Sequence, residues 1–521
     1  MEVAVIGLGK MGAQIAEKLS NNDFKVYSST QHPSETQQII AKMLNQKSNS
    51  VTVLVRRIGG GFGWKETNFL TSSICALLAK KTNKTVKLRL DRDDDIIITG
   101  KRHDFYSEYE VGFDELGVIK GLKLKLASRC GISPDLSGAI NDRALLHIDN
   151  AYYLENVLVE NYLCKTNTAS NTAFRGFGGN QGMMAIENII DHIATSLKKD
   201  SAEIRRRNFY QKKKKNVTHY NMKIEDNVMQ EIFDKLIKSS NYKGRRLEIK
   251  KFNSINKYVK KGIAITPVKF GISFTTTHLN QAGALVHIYY ADGSVHVSTG
   301  AIEMGQGNYT KIAQLVANEL GLNFNKVKVS STRTDKVPNT SASAASSTTD
   351  LNGAAAINAV NKIKQNLALF VKKKYKLKSD KAIYKKGMVK FKGKTFRFNS
   401  LIKEAYLNRI SLSSSGFYST PKIFFNNKKI NKIFLSEVQK KTGMIFQEFN
   451  LVNNLSAINN VLTGLLNSSS KLFSMFYLFT KEQKLEALKA LETVGLLDKA
   501  YSRADELSWG QRQRVGIARA I

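Results

Sequence analysis

The chain has 521 residues, 42% of them hydrophobic, and a formal charge of +37 from 80 Lys+Arg against 43 Asp+Glu. That apolar content suffices for several folded domains and excludes a disordered polyelectrolyte. The basic excess is mostly scattered lysine, with runs at residues 205–207, 212–215 and 372–397; no helix-turn-helix, RNA-binding or zinc-finger pattern stands beside them, so nucleic acid is not expected as a partner. Cys75, Cys130 and Cys164 lie far apart in no CxxC or metal-ligand spacing. Neither a disulfide scaffold nor a resident metal or iron–sulfur site is expected, and a reducing cytoplasm fits. No run approaches the roughly 18 apolar residues of a membrane span, and the first residues lack the basic start of a leader.

In chain order, residues 3–6 read as a strand, Gly7, Gly9 and Gly12 form GxGxxG, and residues 13–19 carry a helical pattern. In that context glycines allow close approach and a helix N-terminus faces a pyrophosphate. The start resembles the NAD-binding opening of the 6-phosphogluconate and 3-hydroxyisobutyrate dehydrogenase family. The likeness stops near Lys25, before the following βαβ elements and a ribose-binding residue arrive. Residues 1–25 are therefore expected to be a Rossmann-like fragment without a working dinucleotide site.

From about residue 26 to 435 the texture is mixed, which predicts an α+β fold. Strand patterns at 51–55, 85–90 and 284–290 alternate with helical ones at 35–44, 184–197, 309–320 and 353–371. Ala291-Asp-Gly-Ser294 is a hairpin turn. No internal repeat is present. After residue 436 the texture changes to KTGMIFQEFNLVNNLSAINNV, then a helical stretch at 481–494, then DELSWGQRQRVGIARAI.

Seven motifs punctuate the central block: SSTQHPSETQ (28–37), RRIGGGFGWKET (56–67), DRALLHIDN (142–150), NTAFRGFGGNQG (171–182), KFGISFT (269–275), IEMGQG (302–307) and PNTSASAASSTTD (338–350). The glycine-rich runs expose backbone N–H groups, which an anionic cofactor needs from several loops at once. In this order the motifs are similar to the molybdopterin-binding subunit of xanthine dehydrogenases. The resemblance implies a first cofactor-binding domain at 26–245 and a second at 246–435, both mixed α/β and each lacking one end.

It further implies that backbone at Phe62 and Gly63 faces molybdenum ligands, that Gln31 bonds an oxo ligand, and that Arg175, Gln306 and Ala345 line the pterin. Glu66 and Arg143 match a pair gripping opposite ends of a purine, and would be catalytic together with Gln31. Phe177 and Phe274 match two aromatics that sandwich the ring, with the Thr275 hydroxyl beside it. The family's FAD and 2Fe-2S centres are expected on partner subunits only. Its general base is a glutamate in a Gly-Glu-Pro context, and this chain contains no Gly-Glu-Pro. The subunit is therefore expected to be inactive alone.

The final stretch, 436–521, resembles an ATP-binding cassette ATPase of the phosphonate-importer type. Gln447 matches the Q-loop glutamine, and Ser508, Gly510 and Gln511 stand in LSWGQ where such proteins carry LSGGQ. No GxxxxGK[ST] and no apolar strand ending in Asp-Glu accompanies them, so ATP hydrolysis is not expected. A transport ATPase fragment and a non-functional chimera are the alternative readings. Both tryptophans, Trp64 in GGFGWKE and Trp509 in LSWGQ, occupy positions where the resembled families have glycine. A UGA codon decoded as glycine in the source accounts for both at once, and the tryptic peptide 58–65 of native protein distinguishes the two residues by mass.

Overall fold

A computed structural model describes residues 14–18, 23–344, 347–421, 451–464 and 479–520, with backbone alone at 14–18. Gly7, Gly9, Gly12, Ala345 and Gln447 lie outside the described residues, as does the side chain of Trp509. The chain divides into two units, Met1–Phe425 and Asn426–Ile521.

The first unit begins with a five-stranded sheet whose order is Thr332–Arg333, Val51–Val55, Phe24–Tyr27, Gln14–Lys18 and Val86–Leu88. Phe24–Tyr27 and Val51–Val55 are parallel, joined through the helix Pro33–Met43 in a βαβ unit. Alternation puts Val51, Val53 and Val55 into a core with Phe24, Val26, Ile40 and Ala76. The helix expected over residues 13–19 is instead the strand Gln14–Lys18, paired antiparallel on both sides. Its backbone groups complete a sheet between two open strand edges, and that outweighs a local helical pattern. The described stretch after GxGxxG thus opens no helix, and the glycines themselves lie outside the described residues.

A second layer pairs Phe105–Phe113 with Ile119–Gly131 antiparallel and Ile119–Gly131 with Val157–Lys165 parallel. The helices Ser137–Leu146, Gly179–Ser196 and Ser201–Asn208 accompany this layer. Ile186, Ile189, Ile190 and Ile193 recur at helical spacing and pack on Leu122, Leu124 and Leu126.

A third sheet runs Val327–Val329, Val295–Thr299, Gln281–Ile288, Ser413–Ser419 and packs on the helices Asn308–Leu320 and Ser347–Lys374. The turn at 291–294 joins two of its strands through Tyr289 N–H to Ser294 O and Gly293 N–H to Tyr289 O. Phe396, Phe398, Leu401 and Ile402 belong to the same core, so the chain through the strand Ser413–Ser419 is part of this layer.

In the second unit the described helices Ala457–Leu462, Lys481–Thr493 and Trp509–Ala520 enclose a small core of Ile458, Val461, Leu491 and Val515. Among the described residues of the chain, no helix is long and apolar enough to cross a membrane.

Candidate functional site

The parallel strands explain why two distant motifs meet. Phe24–Tyr27 and Val51–Val55 end on the same side, and each is followed by a loop there: Ser28–His32 after the first, Arg56–Glu66 after the second. The carboxyl ends of parallel strands are where open α/β sheets collect ligands. Gln31, almost fully buried, fastens this corner. Its Oε1 accepts the Gly63 N–H at 2.9 Å, and its Nε2 donates to Ser343 O at 3.0 Å. Its own N–H donates to Lys65 O, and its C=O accepts the Ser343 N–H. One amide therefore holds three motifs together, including one more than 300 residues away in sequence.

The glycine run meets the remaining loops by close approach. Gly63 has φ +99°, and a Cβ there would lie 2.7 Å from Ala173 O, so the position requires glycine. Phe62, at φ +55° and more than half exposed, accepts the Arg175 N–H through its carbonyl. Ile58 N–H donates to Glu303 O, drawing in the IEMGQG loop. There Glu303 accepts the N–H groups of Gly305, Gly307 and Tyr309. Burial opposes its charge, but those three donors hold the carboxyl below its usual range. Gln306 is exposed and folds back onto its own loop, accepting from Met304 N–H and donating to Ile302 O. Arg175 is exposed as well.

Glu66 ends the glycine run. It is 7% exposed, and its carboxyl has no hydrogen-bond or ion-pair partner among the described residues. Burial pushes it up to about 7, with His32 opposing and the carboxylates of Glu35 and Asp135 adding to the push. A buried carboxyl poised near neutrality beside a glycine-rich loop is a functional candidate on physical grounds.

Trp64 stands two residues before it with its backbone outside the left-handed region. Its indole lies 5.4 Å from the Phe174 ring, whose other neighbour is the Arg102 guanidinium at 4.2 Å. Trp64 lines a cavity of about 210 Å³ with Gly59 to Phe62, Lys65 and Asp95.

A second group is built on the helix Ser137–Leu146 and the turn after it. Both Nη atoms of buried Arg143 donate to carbonyls of the neighbouring loop, at Gly271 and Ser273, while its Nε is buried without a partner among the described residues. The loop 176–179 rests on the same helix, since a Cβ at Gly178, φ +91°, would run into Ile140 backbone. Phe177, half-buried at φ +49°, donates its N–H to Phe174 O. Phe274 and Thr275 are half-buried, and Asn280 brackets Phe274 through its N–H and its C=O. The sequence-predicted residues thus fall into two fastened groups, the glycine wall and the clamp wall. Gln31, Phe62, Gly63 and Glu66, with the loops of Arg175 and Gln306, form one; Arg143 and the loop of Phe274 and Thr275 form the other.

Several residues here were not singled out from the sequence. His147 donates from Nδ1 to Arg143 O and accepts the Gly271 N–H at Nε2. Asp149, fully buried, accepts from Lys269 Nζ and from the Tyr210 hydroxyl, both at 2.6 Å. His147, Asp149 and Lys269 lie inside quoted motifs, and the available signal was the cluster of polar and ionisable residues in DRALLHIDN.

In the second unit Ser508 and Gln511 cap the helix Trp509–Ala520: Gln511 Oε1 accepts the Ser508 N–H, and Ser508 Oγ accepts the Gln511 N–H. Gly510 is exposed, with nothing within 4 Å of where a Cβ would stand.

Residues 12–209 and 235–445 each match the model of a molybdopterin cofactor-binding domain, and residues 393–521 match the ABC transporter model. The chain is 42% identical over 405 residues to a xanthine dehydrogenase/oxidase of Mus musculus, covering 78% of this chain and 29% of that protein. A xanthine dehydrogenase of Dictyostelium discoideum is also 42% identical, over 77% of this chain and 28% of its own length. The chain thus spans under a third of the length of these relatives. Quinoline 2-oxidoreductase from Pseudomonas putida 86 shares the fold, with TM-score 0.69 at 20% identity over 80% of this chain and 55% of that one. The central block of the chain belongs with the molybdopterin-binding domains of xanthine dehydrogenases, and a segment of ABC transporter type follows it.

Proposed function

We propose that residues 26–435 form the cofactor- and purine-binding part of a molybdenum hydroxylase similar to xanthine dehydrogenase. The observation that supports this most is the Gln31 junction, where three separated motifs are tied so that glycine-rich backbone lines one corner. The residues fit a large anionic cofactor. Nothing lies within 4 Å of where a Cβ would stand at Gly59, Gly305 or Gly307, so a ligand can reach the main chain there. Phe62, Gly63, Arg175, Gln306 and Ala345 would hold molybdopterin. When bound, that group supplies the two-electron oxidant for hydroxylation at a ring carbon.

The chain's own residues bind and orient the purine. Glu66, near 7, exists as both acid and carboxylate around neutral pH, and so can donate to or accept from a ring nitrogen. Arg143 spends two donors on loop carbonyls and keeps its charge and further N–H groups for an acceptor on the ring. Phe177 and Phe274 supply flat faces and Thr275 a hydroxyl. FAD and iron–sulfur subunits would carry the electrons away, in the cytoplasm. Without the Gly-Glu-Pro glutamate the chain alone is inactive, since a positioned general base contributes about 10²–10⁴ in rate. Segment 436–521 does not hydrolyse ATP by itself.

Reconstitution of the purified full chain with molybdopterin tests this. Metal analysis should find molybdenum held only weakly, because contacts from the family's remaining domains also converge on the cofactor, and urate formation from xanthine should stay at background. Robust turnover would overturn the claim of inactivity. Titration calorimetry with xanthine should show weaker binding for Glu66→Ala; equal affinity for the two proteins would sink the purine grip.

A further inference from the structure

The motifs DRALLHIDN and KFGISFT form one clamp. Arg143 holds the carbonyls of Gly271 and Ser273, and Asn150 Oδ1 accepts the Lys269 N–H at 3.1 Å. Asp149 holds Lys269 Nζ. Asn150 Nδ2 donates to Pro267 O and to Glu187. The centre of the clamp is His147, 5% exposed, with Phe270 packed on its ring at 5.0 Å between centroids.

Its two nitrogens have opposite jobs. Nδ1 faces the Arg143 carbonyl and must carry the proton, while Nε2 faces the Gly271 N–H and must not. A doubly protonated ring would point an N–H at an N–H. The charged groups facing His147 act in the same sense: Arg143 on its own helix, Lys269 on the clamped loop and His219 from beyond the turn all disfavour a positive ring. The buried carboxylate of Asp149 is already shared by Lys269 and Tyr210.

We propose that His147 is a positioning residue: its neutral Nδ1–H tautomer latches Gly271 and thereby sets the loop that presents Phe274 and Thr275 to the ring. The latch itself is independent of the ligand's identity; its effect on purines rests on the reading above.

Hydrogen–deuterium exchange of the full chain, followed on peptides covering 267–276, tests the latch directly. His147→Leu should raise exchange there about tenfold while peptides of the Ile186–Ile193 core keep their protection. His147→Gln, which can both donate and accept, should restore most of it. Unchanged protection in His147→Leu, or a glutamine variant as open as the leucine one, would overturn the latch. Xanthine affinity measured on the same proteins should fall about tenfold in His147→Leu and recover in His147→Gln. A lost latch with undiminished xanthine affinity would overturn the loop's role in purine binding and leave the exchange result standing for the latch.

Discussion

The two walls of the site are fastened by different chemistry. The glycine wall is held mainly by neutral groups, the Gln31 amide, backbone N–H and C=O groups and close approach at Gly63, with the Glu303 carboxylate gathering the IEMGQG loop. The clamp wall is held by ionised or ionisable side chains, Arg143, His147, Asp149 and Lys269, of which three are almost fully buried. Neutral backbone ties suit a surface meant to carry an anion, because they add no competing charge. Buried ion pairs and a neutral histidine fix one geometry but make it sensitive to pH and to loss of any partner.

The largest effect should come from breaking the clamp's ion pair. Asp149→Ala strands the Lys269 ammonium and the Tyr210 hydroxyl, and should lower stability by about 3–5 kcal/mol, read as a shift in the urea midpoint of the first unit.

Acidity sharpens the contrast next. His147 falls from the ordinary 6.5 to about 4 on folding because burial penalises its charge. The unfolded chain then binds the extra proton between those values, so this group makes stability rise with pH across 4–6.5. Glu66 rises from 4.5 to about 7, again through burial. There the folded chain keeps the proton longer, so this group makes stability fall with pH across 4.5–7. Each contributes roughly 3 kcal/mol over its window, and across the shared range the two nearly cancel. Glu66→Gln should therefore expose an upward slope, and His147→Gln a downward one, in urea midpoints taken from pH 4 to 7. Parallel slopes in the two variants would contradict the opposition.

On the glycine wall, Gln31→Leu leaves the Gly63 N–H and the Ser343 carbonyl without partners. It should cost about 2–3 kcal/mol, with a pH profile parallel to wild type, since no ionisable group is lost. A changed profile in that variant would blur the distinction between the walls.

The smallest effect belongs to Trp64→Gly. The indole is 43% exposed and its ring contact is with Phe174, so its removal should cost about 1 kcal/mol in a thermal melt. A much larger loss would mean that the side chain, and not the backbone ties, holds the glycine wall.

Much of this was legible in the chain. The strand at Val51–Val55, the helices at Pro33–Met43, Gly179–Ser196 and Asn308–Leu320, and the turn at 291–294 follow the periodicity that predicts them. Residues 14–18 do not, because their backbone is claimed by two strands from elsewhere in the sequence, and a local pattern carries no trace of those partners.

By itself the sequence determined the elements with strong local period and the glycine-rich motifs, because hydrophobic spacing and the freedom of glycine are properties of short stretches. Only the tertiary structure decided which motifs meet: that Gln31 reaches Ser343, that DRALLHIDN closes on KFGISFT, and that Glu66 is buried without a partner among the described residues while Arg143 is held by two carbonyls. Protonation of His147 and Glu66 belongs to the same class. Desolvation and the charge of neighbours set it, and both exist only once residues remote in sequence have packed around the group.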